Sequence, residues 1–305
     1  MVRTLKDWPV IADQIERRPL MASAEEFAKE YGNLRTGRPV VLTGVPLPPS
    51  YTERLSDEGL RRTLGDVMLP VMVAAEGQFA TGTGPWDPKK FRIVEMTLSE
   101  YFDRLQGKRP DPILAEGERC YIYQCPPNKL GTLLEDLPLS HLIPAEANVV
   151  NRYTWMGEGT ITVAHYDTEE NFLLQLRGKK RVLLFSPADH DNLYFNRNGT
   201  VHDRHTRVDF TKVDDEQFPN FRKARAYETV LEPGEMLYIP ICWLHHIETP
   251  TFGISVNTWW MTPELLKIHY AFDTLCGEID KGVRPEVQRM CLQVMQDRIF
   301  NPVNP

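Results

Sequence analysis

The middle of the chain is a succession of short hydrophobic runs, not long amphipathic stripes. CYIYQ, NRYTWMG, TITVAHYD, NFLLQLRG, KRVLLFSP, YETVLEPG, EMLYIP, LHHIET and GISVNTWW are each rich in β-branched or aromatic residues and bounded by Gly, Pro, Asp or Asn. Nine such runs between about Cys120 and Trp260, with no long helix between them, predict an antiparallel barrel or jelly roll. The flanks read differently. AEEFAKEYGNLR has helical spacing around Phe27 and Tyr31, and RPVVLTGV (Arg38 to Val45) predicts a strand ended by Gly44 and Pro46. TLSEYFDRLQG predicts a helix with Thr97 or Ser99 as N-cap and Gly107 as its stop. Beyond the strands, Thr262-Pro263-Glu264 combines a hydroxyl cap, proline at the first helical position and an acid in the first turn. Leu265, Ile268, Phe272, Leu275 and Ile279 follow at helical spacing, and after Pro285 a second stripe runs through Val287, Cys291, Val294 and Met295. These stripes predict two helices packed on the barrel, and stripes so wide also suit pairing with a second subunit. The fold class expected is therefore mainly β with α additions: an N-terminal α/β region over 1–117, a barrel over 118–261 and a C-terminal helical pair over 262–305.

Composition narrows the function. With 42% hydrophobic and 25% charged residues over 305 positions, the chain is an ordinary globular protein and not a disordered one. Lys+Arg 35 against Asp+Glu 42 leaves a net charge of −7, which argues against a surface generally coated for nucleic acid. The five cysteines include no C-x-x-C pair, so reduced thiols in an intracellular protein, cytoplasmic and/or nuclear, are expected in place of a disulfide scaffold. The N-terminus has no apolar signal core, and no apolar run approaches the roughly 18 residues of a membrane span. A membrane partner is not expected.

Candidate chemistry concentrates in two segments. In TITVAHYD, His165 and Asp167 are two apart in a strand-like stretch, which sends both side chains to one face. In EPGEMLYIPICWLHHIETP, a turn at Gly234 and a strand lead into an apolar run that delivers His245 to a buried face, while His246 points the other way. Two histidines and one aspartate on an antiparallel barrel are the 2-His-1-carboxylate set that binds Fe(II) with coordination positions left open. In KKRVLLF, strand parity groups Lys180 with Val182 and Leu184; either that row faces inward, or Lys179 and Arg181 do. An ammonium in an apolar row requires an anionic partner. TGTG (Thr81 to Gly84) lacks a GK[ST] continuation and reads as a loop, and the histidines of HDRH, His202 and His205, read as solvated loop residues.

Taken together, H-Y-D, G-K-K-R, L-F-S-P, E-P-G-E-M-L-Y-I-P-x-x-W-x-H-H-I-E and V-N-T-W-W resemble the JmjC/cupin-like Fe(II)- and 2-oxoglutarate-dependent oxygenases. Among these the chain is most similar to the asparaginyl hydroxylases of the factor-inhibiting-hypoxia-inducible-factor type, through DRHTRVDF, QFPNFRKARAYETV and LCGEID…PEV…DRIFN. The wybutosine tRNA hydroxylases share the GKKRVLLFSP-like and FxKARxYE-like runs. The resemblance is strong from about Glu118 to Trp260, fair to the C-terminus and weak over the first 100 residues. It implies a double-stranded β-helix of JmjC type, with His165, Asp167 and His245 as iron ligands. It also implies Lys180, Thr162 and Tyr121 around the distal carboxylate of 2-oxoglutarate, and Asn171 and Asn257 near its metal-binding end. Trp259 would wall the pocket beside His245. Two positions depart from the asparaginyl pattern: Tyr123 and His205, the latter following the matching Arg204, each replace a substrate-facing Gln. The implied reaction uses O2 and 2-oxoglutarate to hydroxylate a substrate. A protein side chain, in an ankyrin-repeat or transcription-factor segment, comes first. A tRNA nucleoside comes second, lysyl demethylation third, and a cupin-fold binding protein is the non-enzyme alternative. By the same resemblance the chain forms a homodimer through its C-terminal helices.

Overall fold

A computed structural model describes residues 10–267, apart from 11, 33–36, 76–77, 80–90, 109–117 and 197–203. The TGTG loop, His202 and the C-terminal stripes beyond 267 lie outside the described residues. The N-terminal part contributes strands β1 (Ala12–Gln14) and β2 (Arg17–Pro19), helix α1 (Ala24–Glu30), β3 (Val40–Thr43), helices α2 (Tyr51–Arg54) and α3 (Asp57–Leu64), β4 (Met68–Ala75), β5 (Gln78–Phe79), β6 (Phe91–Thr97) and α4 (Leu98–Leu105). Then follow β7 (Glu118–Cys125), β8 (Asn148–Gly157), β9 (Thr160–His165), β10 (Glu170–Arg177), β11 (Lys180–Phe185), the short α5 (His190–Leu193), β12 (Ala226–Leu231), β13 (Met236–Ile239), β14 (Leu244–Thr249) and β15 (Gly253–Met261). All nine short hydrophobic runs are strands, β7 to β15 without α5.

The strands form two sheets, β1-β12-β11-β14-β9-β5 and β2-β3-β13-β10-β15-β8-β7-β4-β6. Side chains from both sheets meet between them: Val182, Leu184 and Ile247 from the first pack with Val41, Leu173, Leu237 and Ile239 from the second. This is a cupin-like jelly roll, mainly β with helices on its outside. The outer face of the larger sheet is covered by α1, α3 and α4, whose Phe27, Leu60, Tyr101 and Phe102 join Phe172, Tyr238 and Trp260 in one core. Phe172 stacks on Trp260 at 4.4 Å and Phe27 meets Tyr238 edge-on at 4.9 Å, offset and T-shaped geometries that suit the ring quadrupoles.

Helices α1, α3 and α4 start where their caps stand. Ser23 caps α1 and Ser56 caps α3, and α4 carries a full capping box between Thr97 and Glu100. Thr262 caps the turn at 263–267, its hydroxyl accepting from the Leu265 amide at 3.2 Å. Cys120, Cys125 and Cys242 are free thiols. Among the described residues, no helix is long and apolar enough to cross a membrane.

One corner positions the site directly. Gly178 carries the chain from β10 in one sheet to β11 in the other with φ +68°, and an added Cβ would sit 2.2 Å from the Phe252 carbonyl oxygen. Both the positive φ and the contact exclude a side chain. Gly178→Ala is expected to cost about 1–3 kcal/mol from backbone strain alone, lowering the calorimetric Tm by several degrees; an unchanged Tm would show that the corner relaxes freely.

Candidate active site

The ends of β9 and β14 bring the two histidines together. His165 and His245 are register partners, with ring centroids 4.3 Å apart. Asp167 lies just past the end of β9, and its Oδ1 and Oδ2 are 3.8 Å from His165 Nε2 and His245 Nε2 respectively. One ligand-type atom from each of the three residues lies within 4.8 Å of the others. Each histidine is oriented through Nδ1, which faces the carbonyl two residues earlier: Val163 O at 2.8 Å for His165 and Trp243 O at 3.0 Å for His245. That fixes the tautomer with Nε2 as the free lone pair. Burial pushes His165 down to about 4, helped by the neighbouring His245. Burial alone would raise Asp167, but His245, His165, the Trp259 N–H and Arg204 together hold it below the ordinary carboxylate value. His165 is therefore a neutral imidazole beside a carboxylate, the protonation pattern that metal binding requires of such a pair.

A β-bulge sets which side chains share this cavity. Between the pairs His245↔His165 and Ile247↔Thr162, β9 spends three residue steps where β14 spends two. The extra residue turns both Thr162 and His165 inward, although three apart, while Ala164 packs outside with Leu183 and Leu244. On the neighbouring β11 the inward row is Lys180, Val182 and Leu184, which resolves the parity left open by KKRVLLF. Three consecutive cations meet three different fates. Lys179 is exposed and pairs with Glu232 at 2.6 Å. Arg181 is buried on the outer face between Glu228 at 2.9 Å and Glu248 at 3.4 Å. Lys180 is 2% exposed, with Tyr121 Oη 3.5 Å from its Nζ and the Trp155 ring at 5.8 Å, and among the described residues it has no carboxylate partner. Burial pushes it down to about 7. The Tyr121 hydroxyl in turn sits among the hydroxyls of Thr162, Thr160 and Thr249.

The remaining wall is polar and aromatic. Asn257 Nδ2 donates to Asn171 Oδ1 at 3.0 Å, both buried on the inner face beside Leu173. Trp259 donates its indole N–H to Asp167 Oδ2 at 2.8 Å. Tyr123 packs edge-on against Trp155 at 4.4 Å, and Tyr153 meets Trp259 at 5.9 Å. His205 is not the solvated loop histidine that HDRH suggested: it is 6% exposed and stacks on His165 with centroids 5.2 Å apart. The cause is backbone pairing. His205 bridges to His165, the Tyr166 amide donates to Arg204 O at 3.1 Å, and the Thr206 amide donates to Ala164 O at 3.2 Å. Arg204 itself is exposed at the rim. His246 faces the opposite side, against Phe210 and Glu248.

Residues 24–264 match the family described as cupin-like domain. The chain belongs to the cupin-like family. Curated relatives of this cupin-like chain include human tRNA wybutosine-synthesizing protein 5, 30% identical over 78% of this chain and 75% of that one. Jumonji C domain-containing protein 5 of Drosophila melanogaster is 37% identical over 78% of this chain and 58% of that one. Lysine-specific demethylase 8 of Xenopus tropicalis is 28% identical over 78% and 51%. These relatives place the cupin-like chain among the JmjC-type cupins, within the superfamily of iron- and 2-oxoglutarate-dependent oxygenases.

The cupin-like cavity fits what that superfamily uses. Two imidazoles and one carboxylate form a donor set suited to Fe(II). The inward ammonium, beside the Tyr121 hydroxyl and with no carboxylate partner among the described residues, fits the far carboxylate of a dicarboxylic cosubstrate. One feature of the cupin-like site was not legible as a separate signal. Trp155, two residues from Tyr153 on the same face of β8, closes the wall beside Lys180. On the opposite, helix-covered face of the same sheet, Glu170 is buried with Tyr238 donating to it at 2.6 Å, and burial pushes its carboxyl up to about 7.

Proposed function

We propose that this protein is an Fe(II)- and 2-oxoglutarate-dependent hydroxylase of a modified nucleoside in tRNA. The observation that carries the oxygenase reading is Lys180, buried on the inward row of β11 with no carboxylate partner among the described residues, in the barrel that also gathers His165, Asp167 and His245. In this reading His165, Asp167 and His245 hold the iron, Lys180, Tyr121 and Thr162 hold the distal carboxylate of 2-oxoglutarate, and Asn171 and Asn257 lie near its other end. When bound, these groups supply the oxidising chemistry by which O2 hydroxylates a substrate C–H with release of succinate and CO2. The chain's own contribution is positional. Backbone carbonyls aim the two imidazoles, the bulge keeps Thr162 and His165 in one cavity, and the aromatic wall excludes water from the reacting face.

The tRNA assignment is supported by the human relative whose name states a role in tRNA modification, with three quarters of its length covered. The half-buried rings of Tyr123, Tyr153 and Trp259 are also of the kind on which a base stacks. The second reading is a protein side-chain hydroxylase. It is favoured by the net charge of −7 and by the 37% identity to Jumonji C domain-containing protein 5. Under it, Tyr123 and His205 retune the site away from an asparagine target. Purified protein with Fe(II), 2-oxoglutarate and a panel of tRNAs and of ankyrin-type and histone peptides, read by mass spectrometry for one added oxygen, decides between them. Oxidation of peptide alone overturns the tRNA assignment, and succinate formation with no substrate or metal dependence overturns the oxygenase.

The proposal includes a homodimer through the C-terminal segment, supported by the apolar stripes of its sequence. Leu292→Arg is expected to halve the mass seen by light scattering, and a parent mass near the 35.2 kDa of one chain rules the dimer out.

A further inference from the structure

We propose that the indole N–H of Trp259 is a positioning group for Asp167, holding Oδ2 so that Oδ1 is the carboxylate oxygen left free for a metal. This rests on the reading of His165, Asp167 and His245 as the metal centre.

The three side chains are oriented in two ways. Both histidines are aimed by backbone carbonyls, Val163 O and Trp243 O, which no substitution removes. Asp167 has no such device. It lies beyond the last residue of β9, where the backbone is tied by the Cys242 amide donating to Asp167 O at 2.8 Å and by the neighbouring Tyr166 amide. Neither bond restrains the torsions that turn the carboxylate. Among the described residues, Trp259 Nε1 is the hydrogen-bond donor to that carboxylate, at 2.8 Å, and Oδ1 receives none.

Trp259 suits this task for three reasons. It stands on the inner face of a central strand, with Asn171 and Asn151 as its register partners on either side, so its backbone is rigid. Its ring is braced edge-on by Tyr153. An indole nitrogen donates and does not accept, so it orients a carboxylate without offering the metal a competing ligand. An amide or hydroxyl in that place would bring an oxygen of its own into the site.

Loss of such an orienting bond typically weakens metal affinity about 10–100-fold. The test replaces Trp259 by 3-benzothienylalanine, which keeps the fused ring and substitutes sulfur for N–H, alongside Trp259→Phe. Co(II) affinity and the Co(II) ligand-field spectrum are measured on each full-length protein, with melting temperature as the folding control. The expected result is a 10–100-fold weaker affinity and altered band intensities in both variants, at near-parent melting temperature. Parent-like affinity in the benzothienyl protein, with loss only in Trp259→Phe, would assign the effect to ring packing and overturn the proposal. A parent protein that binds no Co(II) overturns the metal-centre reading itself, and this inference with it. If the benzothienyl protein does not fold, the indole ¹H–¹⁵N spectrum of the metal-free protein decides. Among six tryptophans, the Trp259 signal should move most on Asp167→Ala, and an unmoved signal overturns the contact.

Discussion

Asp167→Ala is expected to lose metal-dependent conversion of 2-oxoglutarate to succinate by at least about a hundredfold, a ligand costing more than the 10–100-fold typical of its supporting hydrogen bonds, while melting close to the parent temperature. The two effects separate because the residue belongs to the cavity and not to the packing. Its side chain is 16% exposed, stands past the end of β9, and is absent from the hydrophobic clusters of the barrel. It supplies the single carboxylate of the three candidate ligands, so its removal leaves two imidazoles with no anionic oxygen donor, a poor site for a hard divalent ion. The structural loss is one hydrogen bond from Trp259, of the order of 1 kcal/mol. A coupled succinate assay and calorimetry read the two quantities. Full turnover by a folded Asp167→Ala protein would remove iron from the assignment.

The second large effect concerns Lys180 and has a definite sign with pH. Burial depresses its folded-state pKa to about 7 from the model-compound value of 10.5. Between those values the unfolded chain holds a proton that the folded chain does not, so stability contributed by this group rises with pH across that window. A dicarboxylate placed against the ammonium favours the charged form and reverses the shift. Binding of 2-oxoglutarate at pH 8 is therefore expected to take up close to one proton, against almost none at pH 6, and to weaken as pH rises above about 7. Titration calorimetry in buffers of different ionisation enthalpy counts that proton directly. Lys180→Met should abolish the uptake and raise KM for 2-oxoglutarate about 10–150-fold, the equivalent of the roughly 1.5–3 kcal/mol of a charge-assisted hydrogen bond. Unchanged uptake and KM would move the role to another cation. The neighbours are poorly placed for it: Arg177 is held by Asp57 at 2.7 Å, and Arg181 by Glu228 and Glu248.

The barrel was legible because each of its strands is a brief hydrophobic run closed by a breaker, and nine such runs can hardly be read otherwise. The N-terminal strands carry no comparable signal. β1 and β2 are short and largely exposed, reading ADQ and RRP, and they pair in parallel at the outer ends of the sheets. β4 is interrupted by Pro70, tolerated beside the edge strand β6. Of the site, spacing alone grouped His165, Asp167 and His245, and strand parity offered Lys180 with its alternatives. His205 was misjudged because its burial comes from backbone bonds to residues some 40 positions earlier, which local composition does not report. The bond from Trp259 to Asp167 spans 92 positions and is equally invisible to any local pattern.

The bulge in β9 makes the cavity depend on arithmetic as well as on chemistry. Three residue steps, from Thr162 to His165, run opposite two, from His245 to Ile247. Thr162 and His165 both face inward at this spacing because the bulge absorbs the extra residue; a regular ladder over the same three steps would send one of them outward. Most of the strand's residues are open to gradual exchange, one side chain for another of similar size. The number of codons between these two is a discrete variable with no intermediate value, so a change of spacing by one keeps this cavity only if the bulge is lost or gained with it.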